Sequence, residues 1–377
     1  MTISRRSFSV GTGIAAMSGF NIARAQSASK IILGQSAPFT GPAAQLGIQF
    51  YQGAKICFDQ VNNEGGVAKR FIEIRNLDDG YEPDRCAENT RKLIADDVFA
   101  LFGYVGTPTS VAALPLATKA KVPFIAPFTG AMALRDPFNK YAFHIRASYN
   151  DETALIVKQL TTLGLKKIAV FYQNDAYGKA GLDGTLLALN ALGLKPVAQA
   201  TVERNSIDVA QAVKTLVAAG PDAVVQISAY KSCAAFIRAA KKAGYGGTFY
   251  NVSFVGTQAL ADDLGKEGAG VVVSQVMPSP YNGARTIARE FIEAVKTAGG
   301  DAKANFSSME GYVAAKVFVE GLKRAGAKAS GESLITGLES LGTQSLGGFA
   351  VSFGPSDHVA SSFVELSMLT GDGRVRT

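Results

Sequence analysis

Short β-rich runs alternate with longer helical patterns along almost all of this sequence, and the alternation runs through twice. KIILGQSA at 30–37 reads as a strand, and helically spaced apolar positions then fill 43–64 and stop at Gly65-Gly66. RFIEIRNL at 70–77 alternates strictly, Pro83 to Asp97 is helical with proline in its first turn, and VFALFGYV at 98–105 is a continuous apolar run, as a buried parallel strand is. A helix over Pro108–Ala120 and a short strand in VPFIAP close the first series. AFHIRA, the run that holds His144, reads as one more strand.

From residue 150 the rhythm restarts. Helices are expected over 151–163, 178–192, 206–219, 231–243 and 257–264, and strands over 166–173, 195–203, 222–228, 248–252 and 270–276. Helices at 284–298, 306–325 and 331–340 and strands near 348–353 and 361–369 finish the chain. Repeated βαβ units build parallel sheets covered by helices on both faces. Two series therefore imply an α/β protein of two Rossmann-like lobes, the number that 377 residues suggest at about 150 residues per domain. No Pro-, Gly- or Ser-rich linker divides the lobes, and the crossing near Arg146-Ala147 is short, so several short connections forming a hinge are expected. The expected division is 26–147 with 280–352 as one lobe and 148–279 with 353–377 as the other.

The first 25 residues read as an address. SRRSF at 4–8, a small-residue apolar segment from Val10 to Ile22 and Ala23-Arg24-Ala25 before Gln26 make a charged start, a short apolar core and a small-residue exit. The arginine pair points to the twin-arginine export route, with the ordinary secretory route as the alternative, and to a bacterial periplasm or cell surface. Without these residues the chain carries 35 basic and 31 acidic side chains, a net +4, because Arg5, Arg6 and Arg24 have no acid beside them. The basic residues are scattered, which argues against nucleic acid as a partner. No stretch past residue 30 offers about 18 uninterrupted apolar residues, so no membrane insertion follows signal removal. Cys57, Cys86 and Cys233 are expected as free, mostly buried thiols.

Catalytic constellations are missing. The two histidines, His144 and His358, stand apart, and His144 in its strand reads as structural. No cluster has metal-ligand spacing, no phosphate loop or dinucleotide turn follows the first strand, and no nucleophile elbow is present. Asp78-Asp79 and Asp96-Asp97 read as structural or solvated pairs. The expectation is a protein that is not an enzyme and needs neither cofactor nor metal.

A parallel α/β sheet binds ligands beyond the carboxyl ends of its strands. The third strand ends in Tyr104-Val105-Gly106, followed by Thr107-Pro108-Thr109-Ser110. With Thr107 as N-cap and Pro108 as the first helical residue, the N–H groups of Thr109 and Ser110 point out of a positive helix end that suits a carboxylate. The alternative is that Thr107 is a cap and nothing more. Phe128-Thr129-Gly130 ends the next strand at the same cleft. Tyr177, in NDAYG on the opposite wall, is either a lid for an apolar body or a ring packed on its own helix start.

These pieces together resemble the substrate-binding proteins of ABC importers for branched-chain and related amino acids, the type I periplasmic binding fold. PFTGPAAQLG at 38–47, GAKICFDQVNNEGGV at 53–67, NLDDGYEPDRC at 76–86, FGYVGTPTS at 102–110, VPFIAPFTGA at 122–131 and FYQNDAYGKAG at 171–181 carry the likeness, which covers nearly all of 30–370. It implies two lobes, three crossovers, a ligand trapped between the lobes, and importer permease subunits as partners of a monomeric receptor. By position it implies ligand contacts from Gly106 and Thr107, with Val105 beside them, from Phe128, Thr129 and Gly130, from Tyr177, and from Tyr312 on the returning helix. Leu46 falls where leucine-binding members carry an aromatic, and Ala229 falls near another family tyrosine. The chain also departs from the pattern. Gly130 and Ser253 stand where amino-acid binders hold the ammonium with a hydroxyl and an acid, and Tyr81 stands at one position of the family's disulfide. With Phe254 adding a further apolar wall, the implied ligand is a small carboxylate: a hydrophobic amino acid or, alternatively, an amine-free aromatic or aliphatic acid. A sensory binding protein of the same fold is the other alternative.

Overall fold

The computed structural model describes residues 1–2 and 30–377; the export address lies outside the described residues. The first series gives β1 (Lys30–Ala37), α1 (Ala44–Asn63), β2 (Phe71–Asp78), α2 (Pro83–Ala95), β3 (Ala100–Phe102), α3 (Thr107–Ala120), β4 (Phe124–Ile125) and β5 (Ala142–Phe143). Their strands form a parallel sheet in the order β2-β1-β3-β4-β5. The apolar run at 98–105 yields only three residues of strand, because Gly103 takes a φ of +65° and turns the chain. Val105 rejoins the sheet through one bridge to Phe128.

The second series gives α4 (Tyr149–Thr162), β6 (Ile168–Gln173), α5 (Ala176–Asn190), β7 (Ala198–Val202), α6 (Ala210–Ala218), β8 (Ala223–Ile227), α7 (Tyr230–Lys242), β9 (Thr248–Asn251), α8 (Thr257–Leu264) and β10 (Val272–Gln275). After them come α9 (Thr286–Ala298), α10 (Phe306–Ala325), α11 (Gly331–Glu339), the hairpin β11 (Gly342–Leu346) and β12 (Phe349–Phe353), and finally β13 (Glu365–Leu369) and β14 (Val375–Arg376). The second sheet runs β14-β13-β10-β9-β8-β6-β7, parallel from β10 through β7, with β13 antiparallel on β10.

α10 returns to the first sheet and lies against α1 at close quarters. A Cβ on Gly53 would collide with the Ser308 carbonyl, and one on Gly311 with the Phe50 carbonyl, so both crossing points require glycine. Three passages join the lobes, through 144–148, 276–285 and 354–364. The first and third run side by side: His144 N–H donates to the His358 carbonyl and Ala360 N–H to the His144 carbonyl, both at 2.8 Å. His144 is buried in this seam, with Nε2 3.0 Å from the Leu134 carbonyl, and His358 stacks on Phe143 at 3.7 Å. Cys57, Cys86 and Cys233 are free and buried.

Candidate ligand-binding site

The carboxyl ends of both sheets face each other, and five buried rings meet between them. Phe254, in a 3-10 turn after β9, lies 4.5 Å from Tyr177, 5.6 Å from Phe128 and 5.9 Å from Tyr81, centroid to centroid. Tyr149, opening α4, lies 5.4 Å from Tyr177. Phe128 and Tyr81 come from the first lobe and the other three from the second, so one contiguous apolar cluster spans both. Leu46 on α1 completes the wall against Gly256, where a Cβ would strike its side chain.

The helix start differs from the expectation. Gly106, at φ +102°, is the N-cap of α3, and Thr107 is its first helical residue. The glycine reaches a left-handed turn that threonine adopts poorly, so the helix begins one residue early. Thr107 Oγ1 bonds Thr129 Oγ1 at 2.6 Å instead of capping. Ser110 N–H is also not free, since it donates to the Gly106 carbonyl at 3.1 Å. The first-turn donors left are Thr107 and Thr109 N–H, because Pro108 has none.

Two other expected contacts lie elsewhere. Tyr312 points away from the cleft: its hydroxyl donates to Gln60 Oε1 at 3.2 Å and its ring packs on Phe291, within a cavity of about 430 Å³ between α1, α9 and α10. Glu310, two positions earlier, faces the cleft, and residues two apart on a helix lie on opposite faces. Gly130 abuts the crossover, where its carbonyl accepts Tyr149 N–H at 2.8 Å and a Cβ would stand 2.7 Å from that nitrogen. Ala229 caps α7 without a side-chain bond, and Val105 is buried beneath the helix start.

A charged centre lies at the hinge end of the cleft, and of its members only Ser253 was expected from sequence. Arg146, 1% exposed, lies in the first crossover with its guanidinium 4.5 Å above the Phe128 ring. Its Nη2 donates to Glu310 Oε2 at 3.0 Å and to Ser253 Oγ at 2.9 Å, and Nε lies 3.0 Å from Glu310 Oε1. Glu152 on α4 accepts Ser253 N–H at 2.7 Å, Ser253 Oγ–H at 3.0 Å and Ser274 Oγ–H at 2.5 Å. One cation and two buried carboxyls thus sit together. Burial pushes Glu310 up to about 7 against the pull of Arg146, and raises Glu152 as well. The available signal was modest: a lone arginine in the apolar run AFHIRA and a lone acid in SSMEGYVAAK.

Hydroxyls supply the rest of the polarity. Ser110 Oγ, Tyr149 OH, Tyr177 OH and Ser228 Oγ are buried with no hydrogen-bond partner among the described residues. Burial lifts the Tyr177 phenol well above its ordinary range and Tyr149 to about 12, so both stay protonated and act as donors. Asp79 holds Tyr81 in place by accepting its N–H at 2.8 Å while taking Ser36 Oγ–H at 2.8 Å. Asp79 of the Asp78-Asp79 pair therefore has a structural role. The arrangement is a two-sided aromatic cleft with neutral donors, a helix start on one wall and a compensated ionic cluster at its hinge end. The family profile described as "Periplasmic binding protein" matches residues 30–373.

The chain belongs to the periplasmic binding protein family. Within it the chain is of the type I, branched-chain amino acid kind. A Leu/Ile/Val-binding protein homolog 7 from Brucella suis biovar 1 is 27% identical over 320 residues, covering 80% of this chain and 78% of that one. The crystal structure of a possible leucine/isoleucine/valine-binding protein from Rhodopirellula baltica SH 1 superposes with a TM-score of 0.88 at 34% identity, over 92% of this chain and 95% of that one. A fatty acid ABC transporter substrate-binding protein from Thermomonospora curvata shares the fold, with a TM-score of 0.83 at 22% identity over 91% and 90%. Among the described residues of this binding protein no helix is long and apolar enough to cross a membrane.

Proposed function

We propose that this binding protein is an exported receptor that traps a small carboxylate with an apolar or aromatic body between its lobes and delivers it, unchanged, to an ABC importer. The observation that carries this reading is the set of buried, unpartnered hydroxyls, Ser110, Tyr149 and Tyr177, beside the start of α3 and between aromatic walls from both lobes. Buried polar atoms are nearly always hydrogen-bonded, so such a set calls for an acceptor-rich guest. Contacts from both lobes give the guest a higher affinity for the closed state than for the open one, which is what shifts the population. Gly106, Thr107, Ser110, Phe128, Tyr149, Tyr177 and Phe254 are the proposed contacts, with Leu46 and Thr129 behind them.

A second reading, an amine-free acid, is favoured by the state of the carboxylates. Both Glu152 oxygens are occupied by serine donors, and Glu310 is engaged by Arg146. A buried ammonium left without an anionic partner is costly. That one protein sharing this fold is named a fatty acid ABC transporter substrate-binding protein, and a fatty acid carries no amine, supports this reading.

Melting-temperature shifts test both readings. Leucine, isoleucine, valine and phenylalanine are set beside their keto-acid and des-amino counterparts and benzoate- and cinnamate-type acids. A ligand at about one hundred times its dissociation constant stabilises by roughly 2.7 kcal/mol. Shifts by the amine-free acids alone establish the second reading; shifts by the amino acids alone refute it; no shift by any carboxylate refutes the first. Recovery of permease subunits, and not a sensor kinase, with the tagged protein from native membranes checks the delivery step.

A further inference from the structure

The cleft mouth is bridged by a set of bonds that the ligand site does not need. In the first lobe the loop Gly80–Tyr81–Glu82 follows β2; in the second, the turn Arg204–Asn205 follows β7. Arg204 Nη2 donates to Glu82 Oε2 at 2.7 Å. Asn205 Nδ2 donates to Glu82 Oε1 at 2.8 Å and to the Gly80 carbonyl at 3.0 Å. Gln173 Nε2, at the end of β6, donates to the Tyr81 hydroxyl at 3.3 Å. Each bond joins segments about a hundred residues apart in sequence, one from each lobe, so parting the lobes breaks all of them together.

Both halves have prepared shapes. Tyr81 and Asn205 hold left-handed φ values of +67° and +60°. Tyr81 is kept there by the buried Asp79, which aims its ring at Gly106 and Phe254. Arg204 Nη1 also donates to Asp175 Oδ2 at 3.3 Å, and Asp175 caps α5 by accepting the N–H of Tyr177 at 2.9 Å. The mouth is thus tied through one carboxylate to the ring on the far wall of the cleft.

We infer that Arg204 and Asn205 are positioning residues that clasp the Gly80–Glu82 loop and fix the closed state, setting how fast any guest leaves without contacting it. The clasp works on the lobes themselves, so its test uses no ligand and stands apart from the carboxylate reading.

Spin labels at Glu88→Cys and Lys214→Cys, on exposed faces of α2 and α6, report the distance between lobes in the full chain; the native cysteines are buried. The expected result is a short-distance population beside a long-distance one in the parent. In Arg204→Ala the ratio of short to long distances falls about three- to fivefold, the scale of a partly exposed ion pair. Arg204→Lys recovers part of the loss. Glu82→Ala gives at least as large a shift, since it also frees Asn205, and the Arg204→Ala/Glu82→Ala pair is no worse than Glu82→Ala alone, because the bond from Arg204 across the mouth is already lost with Glu82. An unchanged distribution in Arg204→Ala, additive single effects, or a parent that shows only the long distance overturns the inference.

Discussion

A hydroxyl that bonds nothing in the protein contributes nothing to its folding, so Ser110 and Tyr177 separate binding from stability. Ser110→Ala and Tyr177→Phe are expected to leave the melting temperature unchanged or slightly raised while weakening carboxylate binding by about 1–3 kcal/mol each, the usual loss for a hydrogen bond to a charged group. Calorimetry beside thermal melts checks both halves. Arg146 behaves oppositely. Arg146→Met leaves Glu310 and Glu152 together in a buried site and is expected to cost about 3–5 kcal/mol in urea unfolding. Glu310 also makes stability depend on pH. Its folded value, about 7, lies above its ordinary 4.5, so its contribution is complete below about pH 4.5 and is lost as pH rises through about 7. Arg146, Glu152 and Arg135 are the charges around it, and Glu310→Gln should flatten the fall in unfolding free energy between about pH 5 and about pH 8. Tyr177 was a candidate from sequence alone, whereas the ionic cluster left only a faint signal there. A buried Glu152 reads like any acid in a first helical turn, and Tyr312 reads like a cleft residue until the helix phase is known.

At the scale of elements the periodic segments were readable and the ends were not. β1 starts and stops where its apolar run does, and the strands and helices of both series fall within a few residues of their patterns. The helix start at Gly106 moved because a left-handed glycine replaced the expected threonine cap. β12 falls on the strand expected near 348–353, whereas its hairpin partner β11 escaped because its largely exposed residues carry little apolar pattern. The α1–α10 crossing was invisible in the same way, since nothing in one helix announces its partner. It has a direct check. Gly53→Ala forces a methyl into the Ser308 backbone and is expected to lower stability by about 1–3 kcal/mol, measured by urea unfolding. Gly246, exposed, free of a positive φ and with nothing for a Cβ to meet, is the control position.

For the whole molecule, the doubled βαβ rhythm was enough to anticipate two parallel-sheet lobes and the return of the late helices to the first of them. What it could not show is that the lobes meet through a ring cluster, a hinge-side ionic group and a mouth-side clasp, because these contacts join residues far apart in sequence. Together they make closure a balance between protein–protein contacts and protein–guest contacts. Titration calorimetry of the parent and Ser110→Ala with the amine-free and amino-acid carboxylates tests that balance most directly. Binding by the parent, weakened at least about fivefold in Ser110→Ala with a melting temperature unchanged or slightly raised, is the expected result. Equal affinity in the two proteins, or no heat from any carboxylate, contradicts a cleft built to hold one.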